Sequence, residues 1–167
     1  MNFEELGVRE DLLHGITEMG FESPMPVQEK VIPVLLGDEV RDVVALAQTG
    51  TGKTAAFGLP VIQRIDTSIR RPQALIIAPT RELCLQIAGD LADFSKYTPE
   101  LSVLPVYGGS SIESQIRALR SGVQIIVATP GRLIDLINRG VVKLGDVHTV
   151  VLDEADKLSD QVLYFFI

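Results

Sequence analysis

From residue 42 onward the chain alternates between short apolar runs rich in β-branched residues and longer stretches with a helical period. The runs Asp42–Ala47, Ala74–Ala78, Ser102–Val106, Gln124–Ala128 and Thr149–Asp153 are predicted strands. The segments between them are long enough to return across a sheet as crossovers, so the pattern predicts an α/β fold, a mostly parallel sheet with helices on both faces. The period is plainest after the second run. There Leu83, Cys84, Ile87, Ala88, Leu91 and Phe94 share one side, and Glu82, Gln86, Asp90 and Asp93 the other. Ahead of the sheet, residues 9–19 read as a helix closed by Gly20. Residues 26–36 read as a second helix, opened by Pro26 and bent or broken by Pro33. The expected division is an N-terminal helical region over 1–36, part of the same domain as a sheet-bearing region over 37–167.

Composition narrows this picture without redirecting it. A chain of 167 residues, 46% hydrophobic, buries one good core. It has no apolar stretch of membrane-spanning length, and its start lacks the basic-then-apolar pattern of a secretion signal. A soluble, cytoplasmic protein without a membrane partner is expected. Cys84 is the single cysteine and is accompanied only by His14 and His148, so neither a disulfide nor a zinc-ligand spacing can be written. Cys84 is expected to pack inward. The net charge of −7 weighs against a broadly basic nucleic-acid surface. It leaves room for a grip made by a few arginines, hydroxyls and helix N-termini.

The chemistry concentrates at the ends of predicted strands, where ligands bind in open α/β sheets. Ala47-Gln48-Thr49-Gly50-Thr51-Gly52-Lys53-Thr54 follows an apolar run and opens a helical segment, the setting of a phosphate-binding loop. Gly50 and Gly52 allow the backbone to turn its N–H groups onto a phosphate. Lys53 can reach the β and γ phosphates, and the Thr54 hydroxyl can ligate Mg²⁺. Ala47 stands where the strict pattern has glycine. The last predicted strand runs into Asp153-Glu154-Ala155-Asp156. Asp153 is suited to holding the metal through water and Glu154 to polarising an attacking water. In isolation the same acids would serve as well to charge the first turn of a helix.

These two motifs together resemble those of the DEAD-box RNA helicases, and further motifs of that family follow in order. Pro79-Thr80-Arg81-Glu82-Leu83 with Gln86 is similar to its first RNA-contacting motif, Gly108-Gly109 to its glycine pair, and Thr129-Pro130-Gly131-Arg132 to its second RNA motif. Gly20-Phe21 with Pro24 and Gln28 resembles its adenine-reading Q motif, and Phe3 stands at the family's upstream aromatic position. The resemblance runs from Phe3 to Asp156. It implies a RecA-like P-loop domain, an ATP-dependent RNA helicase with ATP and Mg²⁺ as cofactors and the RNA phosphate backbone as partner.

The residues support those roles on their own chemistry. A glutamine amide matches the N6/N7 edge of adenine, and Phe21 can stack on the base. The alternative for Phe3 and Phe21 is simple core packing. Thr80 and Thr129 end strands and precede helices, with Arg81 and Arg132 close behind, so they can offer hydroxyls, amides and guanidinium charge to successive phosphates. The alternative pairs Arg81 with Glu82 and Arg132 with Asp135 at the surface. A preference for RNA over DNA comes from the resemblance alone.

Met25 stands where the family usually has threonine, which removes a helix cap. Gly37-Asp38-Glu39-Val40-Arg41 is slightly longer than the family's turn. Only Lys157–Ile167 follow Asp156, without the family's Ser-Ala-Thr motif or second RecA-like domain. An arginine that stabilises phosphoryl transfer is worth about 10³–10⁵ in rate. Because the resemblance places such arginines on the second domain, this chain is expected to be nearly inactive alone. The apolar, β-prone tail Gln161–Ile167 reads as a strand that can pair with the sheet, with a second copy or with nothing; left without a partner in its own sheet it is an exposed hydrophobic strand prone to self-association. A non-enzymatic module that binds ATP, RNA or a partner, and a DNA translocase of the same superfamily, are the competing readings.

Overall fold

A computed structural model of the chain describes residues 1–39, 41–47 and 52–166. The chain divides into two compact units: Met1–Ile65 with Asp90–Pro99, and Asp66–Gly89 with Glu100–Ile167.

The first unit is helical among its described residues. Helix α1 (Glu10–Glu18) buries Leu12 and Ile16 and ends at Gly20, whose φ is +88°. Helix α2 (Pro26–Leu36) starts with proline at a position whose N–H would have no partner, and it continues through Pro33. Helix α3 (Lys53–Gln63) buries Ala55, Ala56, Leu59, Val61 and Ile62. Arg64, just beyond α3, donates to the carbonyls of Leu35 and Gly37, closing the open end of α2. Phe21 packs edge-on against Phe94 and lies beside Phe3. Phe3 is buried, which favours its reading as a core residue.

The second unit holds a sheet of four strands, β1 (Ala74–Ile77), β2 (Val103–Val106), β3 (Ile125–Ala128) and β4 (Thr149–Leu152). All pairings are parallel and the order is β2-β3-β1-β4. β1 and β3 are buried along their full length, as central strands covered on both faces must be. Between strands run α4 (Arg81–Phe94), α5 (Ile112–Arg120) and α6 (Pro130–Asn138). Leu75, Ile77, Val106, Ile126, Leu133 and Leu136 form the heart of the core. Cys84 is buried as expected, its thiol donating to the Val127 carbonyl at 3.1 Å, and burial pushes its pKa up to about 11.

Two expectations fail. Asp42–Ala47 forms no strand, and Val44 and Leu46 are 93% and 98% exposed. A strand requires a neighbour to take its N–H and C=O groups. Among the described residues none pairs with this segment. The tail is not a strand either: Asp160–Phe166 is helix α7. Ser159 caps it, its hydroxyl accepting from Val162 N–H and its carbonyl from Leu163 N–H. Val162, Leu163 and Phe166 then pack on the core while Tyr164 stays exposed. The exposed strand on which the expectation of self-association rested is therefore absent among the described residues.

Candidate functional site

In the first unit the candidate nucleotide residues gather at the start of α3. Gln48, Thr49, Gly50 and Thr51 lie outside the described residues. Ala47 is half-buried, and Lys53 and Thr54 occupy the first turn of α3, where backbone N–H groups lack intrahelical partners. Gly52 takes the preceding position at φ +79°, in the left-handed region. Gln28, from α2, reaches it: the side-chain Nε2 donates to the Gly52 carbonyl at 3.0 Å. The other end of that amide, Oε1, accepts from the Met25 N–H at 2.9 Å. Gln28 is 2% exposed and thus serves two segments at once. It also supplies an acceptor for the helix start that Met25 cannot cap with an oxygen of its own. Phe21 is half-buried in the same unit.

In the second unit the parallel register brings four loops to one edge. Ile77 is level with Ala128 and Leu152, and Val106 with Ala128. Pro79-Thr80-Arg81, Tyr107-Gly108-Gly109, Thr129-Pro130-Gly131-Arg132 and Asp153-Glu154 therefore all leave the carboxyl edge of the sheet. Asp153 is 5% exposed, its N–H bonded to the Ile77 carbonyl and its carboxylate accepting from the Glu154 N–H. Glu154 adopts φ +49°, the single non-glycine residue with positive φ among those described. A carboxylate side chain held in that conformation is a mark of local strain at a site. Its Oε2 lies 3.5 Å from Lys157 Nζ. Thr54 and Asp153 offer the hard oxygen donors that Mg²⁺ prefers. Among the described residues no three His, Cys, Asp or Glu side chains gather into a metal cluster.

The RNA-motif residues divide between anchoring and exposure. Thr80 accepts the Leu83 N–H through its hydroxyl at 3.2 Å and so caps α4. Arg81, exposed, lies over the Tyr107 ring at 4.8 Å. Gly108 and Gly109 are exposed, and a side chain added at either would meet nothing. Arg132 is half-buried and does not pair with Asp135, which instead holds Arg139. Its guanidinium donates to the Ser110 carbonyl and, at 2.8 Å, to Gln115 Oε1. Gln115 Nε2 in turn donates to the Tyr107 carbonyl at 3.2 Å. Neither Tyr107 nor Gln115 was marked by the motifs. The available signals were an aromatic directly before the glycine pair and a lone amide on a helix face that turns inward.

Comparison with known proteins agrees with this geometry. The family model for the DEAD/DEAH box helicase matches residues 25–165. The chain is 53% identical over 156 residues to the ATP-dependent RNA helicase CshA of Listeria monocytogenes, covering 93% of this chain and 29% of that protein. It is 49% identical to the ATP-dependent RNA helicase DeaD of Buchnera aphidicola, covering 93% and 26%. Among solved structures, a DEAD box protein of the hyperthermophile Methanococcus jannaschii superposes with a TM-score of 0.89 at 41% identity, over 100% of this chain and 44% of that one. S. cerevisiae Dbp5 bound to RNA and ADP BeF3 superposes at 0.88 with 35% identity, over 99% and 43%. The fold is thus the RecA-like α/β class. The chain belongs to the DEAD/DEAH box helicase family, and it spans between a quarter and a third of the length of the curated relatives it matches.

Proposed function

We propose that this chain is the ATP-binding domain of an ATP-dependent RNA helicase, taking up ATP with Mg²⁺ and holding RNA by its phosphates. Gln28 and Phe21 recognise adenine, and the loop Ala47–Thr54 holds the phosphates with Lys53 on the β and γ groups. Thr54 and Asp153 hold the metal, and Glu154 polarises the attacking water. Pro79, Thr80, Arg81, Gly108, Gly109 and Thr129–Arg132 hold the RNA strand without reading bases. Hydrolysis and unwinding belong to the longer protein, in which a second RecA-like domain supplies the arginines the reaction needs. Its place is the cytoplasm, where ATP and RNA are both at hand; no helix among the described residues is long and apolar enough to cross a membrane.

The observation that carries this reading is the start of α3: a left-handed Gly52 followed by Lys53 and Thr54, tied through a buried Gln28 to α2. Both ends of the nucleotide, base and phosphate, thereby have candidate partners in one helical unit. Titrating a fluorescent ATP analogue into the chain and into Lys53→Ala tests it. We expect a loss of at least about ten-fold, since a charge-assisted contact to phosphate contributes about 1.5–3 kcal/mol. Equal affinity of the two proteins would rule out a working phosphate loop.

A further inference from the structure

We infer that Gln115 is a positioning residue for the RNA-phosphate grip: it pins Arg132 and the Tyr107 carbonyl so that the glycine loop and the Thr129–Arg132 segment form one prearranged surface. The inference rests on the RNA-binding reading above. Gln115 lies on α5, is 6% exposed, and would be unfavourable there unless both ends of its amide were bonded. Both are, to Arg132 Nη1 and to the Tyr107 carbonyl.

The donor count of Arg132 shows what this arrangement leaves over. A guanidinium has five N–H donors. Nη1 serves Gln115 and Ser110, and Nη2 serves Ser110. The Nε hydrogen and the second Nη2 hydrogen meet no acceptor among the described residues, and they lie along one edge of the group. That edge is the bidentate match for a phosphate. Gln115 and the Ser110 carbonyl therefore select the edge that RNA receives, and they hold it without an ordering penalty at the moment of binding. The same amide also holds the backbone carbonyl of Tyr107, the residue that precedes the glycine pair and whose ring lies under Arg81.

The full chain tests this with Gln115→Met, which keeps side-chain length and loses both polar ends. In the wild type the guanidinium NMR spectrum should show separate Nη signals for Arg132, and labelled oligouridylate should bind by fluorescence anisotropy. In Gln115→Met those signals should merge and RNA affinity fall about ten-fold, with ATP-analogue affinity unchanged. Gln115→Glu keeps an acceptor for Arg132 and should keep the signals separate, which distinguishes lost pinning from lost packing. In an Arg132→Lys background the Gln115→Met effect should shrink to about two-fold or less, because the partner it acts through is gone. Equal RNA affinity of Gln115→Met and wild type, additive effects in the Arg132→Lys background, or separate Nη signals surviving Gln115→Met would each overturn the inference. A wild-type chain that takes up no oligouridylate would instead overturn the RNA-binding reading itself.

Discussion

Gly52 and Glu154 both adopt the left-handed backbone conformation next to candidate functional groups, and their chemistry differs. Gly52 does so without penalty, having no Cβ, whereas Glu154 at φ +49° carries a side chain into the same region. A Cβ on Gly52 would also lie 2.2 Å from Gln28 Nε2 and 3.1 Å from Met25 Sδ. Gly52→Ala therefore acts twice, through the backbone and by displacing the Gln28 amide from the Gly52 carbonyl. We expect stability to fall by about 1–2 kcal/mol in denaturant titration. The ATP analogue should bind about ten-fold more weakly if the Gln28 link shapes the phosphate loop. A variant that loses stability but binds nucleotide normally would separate Gln28 from phosphate binding.

At the scale of elements, periodicity located most of the fold because its information is local. Ala74–Ile77, Val103–Val106, Ile125–Ala128 and Thr149–Leu152 are strands where apolar runs announced them. Asp42–Ala47 has the same character, but strand formation depends on a partner that no local pattern encodes. In the tail, aromatic and β-branched content outweighed the spacing of Val162, Leu163 and Phe166, which is that of one helix face. Phe166→Ala should accordingly cost about 1–3 kcal/mol in thermal or chemical denaturation, less than for a fully buried aromatic. Tyr164→Ala on the exposed side should stay within about 0.5 kcal/mol. Equal effects would mean that α7 does not dock by that face. The candidate site was legible for a different reason. Lys53, Asp153, Arg81 and Arg132 stand out through residue type and spacing, because the roles proposed for them are toward a ligand. Tyr107 and Gln115 act on other protein groups, and only the folded arrangement exposes that role.

For the whole molecule the proposed RNA binding raises the question of how an acidic chain would hold a polyanion. The net charge is −7, and several cations are already engaged: Arg9 with Asp11, Arg71 with Asp146, Lys96 with Glu18 and Arg139 with Asp135. Arg81 and Arg132 are the guanidinium groups that the RNA motifs offer, alongside hydroxyls and backbone amides that displace no counterions. Each phosphate neutralised on a single strand contributes a slope of about −0.7 to the plot of log affinity against log salt. Two arginines therefore predict a slope of about −1.4, shallow beside that of a protein with a basic surface. Arg81→Ala should reduce it by about 0.7 and weaken binding alike for oligouridylate and oligoadenylate, because a phosphate contact carries no base information. Anisotropy titrations between about 50 and 200 mM salt span the range over which this dependence develops. A slope steeper than about −3 would place the affinity on other cations of the chain. A slope near zero would remove the arginines from the phosphates and leave neutral donors alone to account for the grip.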